Sequence, residues 1–216
     1  KNGGRAVEGS SITLGLGDTA VCTIVNNDIA PTITLTKAVT NNNGGTAGIN
    51  DFGLTVGGTS VTSGQTVSVS ANTPIELNEA GLIGYSFVSI TGDDKCPAVL
   101  GGTVTLDEGE NISCTITNDD QAGTLIVRKV LVKDDGGSES VTDFKYKIND
   151  GVETAFEADG ENITSVNAGT YTVTEVTAEG YTTSYNNCTN VVVSNGETEI
   201  CTITNNDVAP TITLMK

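Results

Sequence analysis

The chain has 216 residues, of which 26 are glycine, five are cysteine and none is histidine, and 27 acidic against 10 basic side chains give a formal charge of −17. Without histidine, Ser-His and Cys-His nucleophile pairs are excluded and zinc sites are restricted to cysteine ligands, so we expect no enzyme, no cofactor and no metal. The acidic charge disfavours nucleic acid and anionic membranes as partners, and no stretch of about 18 apolar residues predicts membrane insertion.

One segment occurs three times along the chain, beginning at Cys22, Cys114 and Cys201. Each copy has a Cys-Thr-Ile core, then a turn rich in Asn and Asp, then a new alternating stretch. The spacing of about 90 residues is domain-sized and longer than the roughly 20–50 residues of solenoid repeats. The sequence therefore predicts a tandem array of similar domains.

The phase of this repeat divides the chain into four parts. Residues 1–28 are expected to be the C-terminal fragment of an upstream repeat, 29–120 and 121–207 are expected to be complete repeats, and 208–216 the first strand of a following repeat. The joints between repeats are short, and two of them contain an Ala-Pro pair that restricts the backbone. We therefore expect the domains to be arranged as a semi-rigid rod.

Alternating apolar and polar residues, separated by Gly, Asn and Asp clusters, predict short β-strands throughout. In the first complete repeat the predicted strands are 31–40, 52–57, 65–70, 74–79, 84–91, 102–106 and 111–117. In the second they are 123–133, 142–148, 153–156, 161–166, 169–176, 181–185, 190–194 and 198–204. No helical apolar period persists, so the predicted fold is all-β, with tandem immunoglobulin-like β-sandwich domains.

Each complete repeat has two cysteines near its end, Cys96 with Cys114 and Cys188 with Cys201. Two separated cysteines without a Cys-x-x-Cys motif cannot complete a tetrahedral metal site. We expect two intradomain disulfides, with unpaired core thiols as the alternative, and we expect Cys22 to pair with an upstream cysteine. Such disulfides imply an oxidising, extracellular setting.

Three polar side chains per repeat lie at the ends of otherwise apolar stripes, because residues two apart in a strand share a face. They are Lys37, Glu79 and Asn118 in the first repeat and Lys129, Glu175 and Asn205 in the second. Burying an unpaired charge is costly. A desolvated lysine that loses its proton could attack the asparagine carboxamide while the glutamate shuttles protons, which gives a Lys–Asn isopeptide bond and ammonia. The alternative is that each lysine reaches solvent and each asparagine caps a turn.

Four short motifs of the second repeat follow one another in a characteristic order. They are Ile-Val-Arg-Lys129, Tyr171-Thr-Val-Thr-Glu175, Glu179-Gly-Tyr181 and Thr-Ile-Thr-Asn205. This order resembles the prealbumin-like, collagen-adhesin B-type repeats of Gram-positive surface proteins and pilins. The resemblance implies a prealbumin-like sandwich in which the first-strand lysine is bonded to the last-strand asparagine with help from the glutamate. The first repeat departs from it, because the segment ending at Glu79 lacks the tyrosine.

Together, the repeats, the cysteines and this resemblance predict a structural protein on the outside of a microbial cell. We expect a stalk or fibre of covalently stapled sandwiches on the cell surface, with neighbouring repeats of the same chain, and like chains in a fibre, as partners. One alternative is an adhesin module that recognises a glycan or a host protein, although aromatic residues make up only 4% of the chain. Another is a filament assembled by strand donation.

Overall fold

The computed structural model describes residues 11–216, and nearly all of their regular structure is β-strand. They form two consecutive β-sandwiches, which we call the first sandwich (residues 32–120) and the second sandwich (residues 123–207). The all-β fold class predicted from the sequence is therefore confirmed. Among the described residues, no helix has the length and apolar character needed to cross a membrane.

The first sandwich has eight strands and one short 3-10 helix, Ile49–Asp51. The strands are β1 (Thr32–Thr40), β2 (Gly53–Val56), β3 (Thr59–Val61), β4 (Gln65–Ser68), β5 (Ile75–Ala80), β6 (Tyr85–Gly92), β7 (Gly102–Val104) and β8 (Asn111–Asp120). One sheet has the order β4-β1-β8-β6 and the other has the order β3-β2-β5-β7. The core lies between these two sheets.

The second sandwich has nine strands and a short 3-10 helix, Val141–Asp143. The strands are β9 (Gly123–Val132), β10 (Lys145–Ile148), β11 (Thr154–Ala155), β12 (Glu161–Val166), β13 (Gly169–Tyr171), β14 (Val173–Glu175), β15 (Tyr181–Asn186), β16 (Val191–Val193) and β17 (Thr198–Asp207). One sheet has the order β12-β9-β17-β15, and the opposite side is formed by β11-β10-β14 and the pair β13-β16.

The first and last strands of each sandwich are neighbours and run parallel. β1 pairs with β8, with Val39 opposite Asn118, and β9 pairs with β17, with Leu131 opposite Asn205. Because side chains two residues apart share a face, a lysine two positions before Val39 or Leu131 points to the same side as the asparagine. The parallel register therefore brings the two residue types together at the end of the core.

Strict alternation decides which face of these strands is buried. In β1, Ile33 and Leu35 are fully buried and the threonines between them are partly exposed. In β9, Leu125 and Val127 are fully buried in the same way, and Ile203 of β17 packs in the same core. Burying such apolar side chains contributes about 1.5–3 kcal/mol each. The inward stripe then continues into the lysine, so the lysine is buried with it.

The observed strands differ from the predicted ones in four main respects. Residues 142 and 143, predicted as the start of a strand, lie in the 3-10 helix Val141–Asp143. β8 and β17 continue to Asp120 and Asp207, β3 was not predicted, and the single strand predicted for 169–176 is interrupted at Thr172. Residues 11–31 and 208–216 contain no strand. Their backbone makes single hydrogen bonds to the sandwiches, such as those from Val69 N–H to Pro31 O and from Val208 N–H to Gly180 O, and no continuous ladder. Residues 1–10 of the predicted upstream fragment lie outside the described residues.

Candidate functional site

Each sandwich contains one disulfide that ties its last strand to the segment before it. Cys114 of β8 is joined to Cys96, and Cys201 of β17 is joined to Cys188. The paired Cα atoms lie 5.8 and 4.6 Å apart, within the range that a disulfide spans without backbone movement. Cys22 is exposed and has no partner among the described residues, so its pairing with an upstream cysteine stays a prediction.

In the second sandwich, the lysine, glutamate and asparagine of the sequence analysis meet between the two sheets. Lys129 Nζ lies 2.7 Å from Asn205 Oδ1 and also contacts Glu175 Oε1. The side chains of Lys129 and Glu175 are 0% and 2% exposed, and Asn205 is fully buried. The Thr183 hydroxyl donates a hydrogen bond of 2.9 Å to the other oxygen of Glu175. The amine therefore touches both the carboxamide and the carboxyl group, away from water.

In the first sandwich, the equivalent residues also meet, but the glutamate is in the middle. Glu79 Oε1 accepts a hydrogen bond of 2.6 Å from Asn118 Nδ2, and Glu79 Oε2 lies 2.9 Å from Lys37 Nζ. Lys37 Nζ also donates to the backbone oxygen of Ile116 at 3.4 Å. The side chains of Lys37 and Glu79 are both 0% exposed. Neither sandwich therefore lets its lysine reach solvent.

Aromatic rings cover the amine in both sites. Lys37 Nζ lies 4.3 Å from the centre of the Phe52 ring, and Lys129 Nζ lies 4.0 Å from the centre of the Phe144 ring. Burial lowers the pKa of both lysines from the usual 10.5, although the hydrogen bond and charge of the paired glutamate oppose this shift. A lowered pKa increases the fraction of neutral amine, which is the nucleophilic form.

Three buried polar atoms of these sites have no hydrogen-bond partner within the part of the chain that the structure describes. They are Asn118 Oδ1, Asn205 Nδ2 and Glu79 Oε2, although the last lies 2.9 Å from Lys37 Nζ in an ion pair. A buried polar atom left without a partner costs about 1–3 kcal/mol. In each asparagine, only one of the two polar side-chain atoms is hydrogen-bonded. The carboxamide therefore keeps one polar atom that no hydrogen bond stabilises.

Four residues that surround the two lysine sites or end their strands were not predicted from the sequence. Phe52 and Phe144 each follow a short 3-10 helix, and alternation alone does not show that their rings lie over the lysine of the preceding strand. Asp120 and Asp207 were assigned to turns, but both are buried at the last position of their strands. Their position six residues after a cysteine in both copies was the available signal.

One protein-family model matches the chain twice. A family model described as a prealbumin-like fold domain matches residues 28–116 and again residues 120–212. No curated protein matches the chain.

Matches among solved structures include proteins of Bacillus, Staphylococcus and Streptococcus. The Bacillus anthracis TIE protein is 16% identical with a TM-score of 0.46, and the match covers 84% of this chain and 34% of that protein. Two B repeat units of the Staphylococcus aureus collagen-binding protein are 15% identical with a TM-score of 0.35, covering 82% of this chain and 49% of theirs. The minor pilin of Streptococcus agalactiae is 16% identical with a TM-score of 0.31, and the match covers 72% of this chain and 73% of that pilin.

This chain spans about a third of the length of the TIE protein and about half of the two-repeat structure. The family model, in contrast, matches two successive segments that together account for most of the 216 residues. The chain belongs to the family of prealbumin-like fold domains.

Proposed function

We propose that this chain is part of an extracellular stalk or fibre on a microbial cell surface, in which tandem sandwiches transmit load from one end to the other. The repeats are proposed to be residues 29–120 and 121–207, with 1–28 and 208–216 belonging to neighbouring repeats. The observation that carries this proposal is the parallel pairing of β1 with β8 and of β9 with β17. The chain enters and leaves each sandwich through these strands.

A force along the chain acts on these strands first. Pulling on the two ends of a parallel pair shears all of its hydrogen bonds at the same time. The disulfides do not bridge this pair, because they join the last strand to the segment after β6 or β15. The lysine and the asparagine lie on opposite strands of the pair, in direct contact in the second sandwich and with Glu79 between them in the first. A covalent bond between them would conduct the force from the first strand to the last without loading the rest of the sandwich.

The chemistry of that bond balances with groups that are present. Proton transfer from Lys129 to Glu175 leaves a neutral amine, which attacks the side-chain carbonyl carbon of Asn205. The carboxamide nitrogen takes protons through Glu175 and leaves as ammonia, and a secondary amide joins the two side chains. Lys37, Glu79 and Asn118 would react in the same way. Each site acts once on its own chain, so this is maturation of a structural protein and not turnover of a substrate.

The first test is the intact mass of the reduced full chain. Each bond releases one ammonia, so we expect the mass to fall by about 17 Da per bond, and by twice that amount when both sandwiches are linked. Glu175→Ala should restore one such step, because it removes the proton shuttle and no atom of the bond. Glu79→Ala should do the same for the first sandwich.

Matched controls are available for both glutamates. Glu179 and Glu76 are exposed glutamates in the same regions of their sandwiches, so Glu179→Ala and Glu76→Ala should leave the mass deficit intact. If the wild-type chain has its full unmodified mass, the isopeptide bonds do not form. The disulfides would then be the covalent staples of the stalk.

An adhesin role has one structural observation in its favour. A groove of about 360 Å³ in the second sandwich is lined by Phe144, Tyr181 and several carboxylates, among them Glu139 and Glu179. Such a groove would suit a cationic group held against an aromatic ring. Glycan and host-protein binding by the full chain, compared with a Tyr181→Ala variant, distinguishes this role from a purely structural one.

A further inference from the structure

Loops at one end of the first sandwich form a surface that contacts the second sandwich. Asp120 accepts three backbone N–H groups from loop 42–45, at 2.6–2.9 Å. The backbone N–H of Gln121 donates to Gly84 O at 2.8 Å, which fixes the neighbouring loop. We call loop 42–45, Gly84, Asp120 and Gln121 the Asp120 surface.

Asn195, in the turn between β16 and β17, binds this surface with its side chain. Its Nδ2 lies 2.9 Å from Gln121 O, 3.2 Å from Asn43 O and 3.3 Å from Asp120 Oδ2. Asn43 O also accepts the backbone N–H of Ala168 at 2.7 Å. All three atoms facing Nδ2 are acceptors, so this position requires a hydrogen-bond donor.

Two glycines allow the backbones of the sandwiches to approach this closely. A Cβ atom on Gly44 would lie 2.5 Å from Ala168 O, and one on Gly84 would lie 2.7 Å from Asn195. Both glycines also have positive φ angles, +85° and +81°, which other residues rarely adopt. A side chain at either position would separate the two sandwiches.

The second sandwich carries a corresponding surface at its own equivalent end. Asp207 accepts three backbone N–H groups from loop 134–137 at 2.7–3.0 Å, and the N–H of Val208 donates to Gly180 O at 2.9 Å. Gly136 and Gly180 have φ angles of +96° and +79°, and no atom lies within 4 Å of a Cβ built on either. Loop 134–137, Gly180, Asp207 and Val208 form what we call the Asp207 surface.

We infer that the Asp207 surface is a docking site for a further sandwich of this family, following in the same chain and presenting an amide side chain at the position of Asn195. This inference rests on the proposed function, because a stalk requires defined joints. The residues after Val208 support this occupant. Pro210-Thr-Ile-Thr-Leu repeats the sequence from Pro31 to Leu35, and its Ile212 and Leu214 are 91% and 93% exposed.

The hydrogen-bond acceptors of the Asp207 surface also determine which kind of sandwich can dock on it. The first sandwich has Glu108 at the position of Asn195, in a turn where Gly109 N donates to Ile29 O at 2.7 Å, as Gly196 N donates to Gln121 O at 3.2 Å. A carboxylate there would face the Asp207 carboxylate, and like charges at close range repel. The Asp207 surface therefore selects a sandwich that resembles the second one.

The contact of Asn195 with the Asp120 surface is tested first, in the full chain. Nitroxide labels on Ser86→Cys and Ser184→Cys, in a Cys22→Ser background, report the distance between the sandwiches by electron spin resonance. We expect a narrow distance distribution that broadens in Asn195→Asp, which keeps the shape and removes the donor. The control Asn190→Asp introduces the same charge at an exposed site and should leave the distribution narrow. A narrow distribution in Asn195→Asp would overturn the role of Asn195.

The docking site is tested in a longer chain in which residues 122–208 are repeated once after Val208. Labels on Ser184→Cys and on its copy in the third sandwich should give a distribution as narrow as that between the first two. Asn195→Asp in the third copy alone should broaden it. A broad distribution without that substitution overturns the docking site, while the mass deficit that tests the stalk proposal is unaffected. A narrow distribution in a chain that has no mass deficit supports the docking site and shows that the isopeptide bonds do not form.

Discussion

At the residue scale, two buried aspartates shape the ends of the sandwiches. Burial acts to raise the pKa of Asp120 and Asp207, but the backbone N–H groups of the loops that they anchor outweigh it, so both pKa values lie below the usual 3.8. A carboxylate that accepts several backbone N–H groups is favoured in its charged form. These two groups therefore bind protons less readily in the folded chain than in the unfolded one.

This difference makes stability depend on pH in a defined direction. A group with a lowered folded-state pKa contributes stability that is fully present above its unfolded pKa and is lost as the pH falls through its folded pKa. We expect the thermal unfolding midpoint to drop as the pH falls below about 4. In the double variant Asp120→Asn, Asp207→Asn this drop should be smaller, because neither side chain titrates.

The matched control for this measurement is an exposed aspartate. Asp94 lies at the surface, so Asp94→Asn should keep the pH dependence of the wild-type chain. An unchanged acid response in the double variant would mean that the anchored loops do not contribute to it.

At the element scale, the disulfides stabilise each sandwich separately from the lysine sites. They close loops of 18 and 13 residues, for which the loss of unfolded-state entropy stabilises by about 3 kcal/mol. We expect the double variants Cys96→Ala, Cys114→Ala and Cys188→Ala, Cys201→Ala each to lower the free energy of unfolding by about 2–4 kcal/mol. Urea unfolding measures this loss. Cys22→Ala, at an exposed cysteine that has no partner among the described residues, should change it by less than about 0.5 kcal/mol.

Most strands could be predicted from the sequence, because alternation reports burial directly. The ends of β8 and β17 could not. Asn and Asp disfavour strands locally, so the strand predicted from the sequence ends at residue 117. The parallel partner β1 and the inward hydrogen bonds of Asp120 keep this segment in the sheet. Tertiary contacts therefore override the local preference at the position where the candidate site is built.

In the candidate site, too, some residues could be predicted from the sequence and others could not. The lysine and the asparagine could be identified, because each continues a buried stripe whose register is fixed by period two. The arrangement around Glu79 and Glu175 could not, because it depends on side-chain geometry across two sheets. Asn195 gave no signal in its own sandwich, since every acceptor that it binds belongs to the joint or the first sandwich.

At the scale of the whole molecule, the two sandwiches repeat one plan with different details. Both have a parallel first and last strand, a disulfide on the last strand and an aspartate that anchors a loop. The joint between them has a glycine, Gly123, where the other two copies have Pro31 and Pro210. The geometry of this joint is therefore fixed by contacts between the sandwiches and not by a proline that restricts the linking backbone.

The proposed transmission of force can be tested by pulling on single chains in the presence of a reductant and measuring the length that each sandwich releases. With the Lys129–Asn205 bond, the second sandwich should release almost no length, because these residues are 76 positions apart in the chain and the bond bypasses the segment between them. Glu175→Ala should add an unfolding step of roughly 250–270 Å, at 3.3–3.6 Å per residue. Glu179→Ala should behave as the wild type, since that glutamate is exposed. The same long step in the wild-type chain would mean that force passes through hydrogen bonds alone, and the sandwich would then extend under load instead of holding its length.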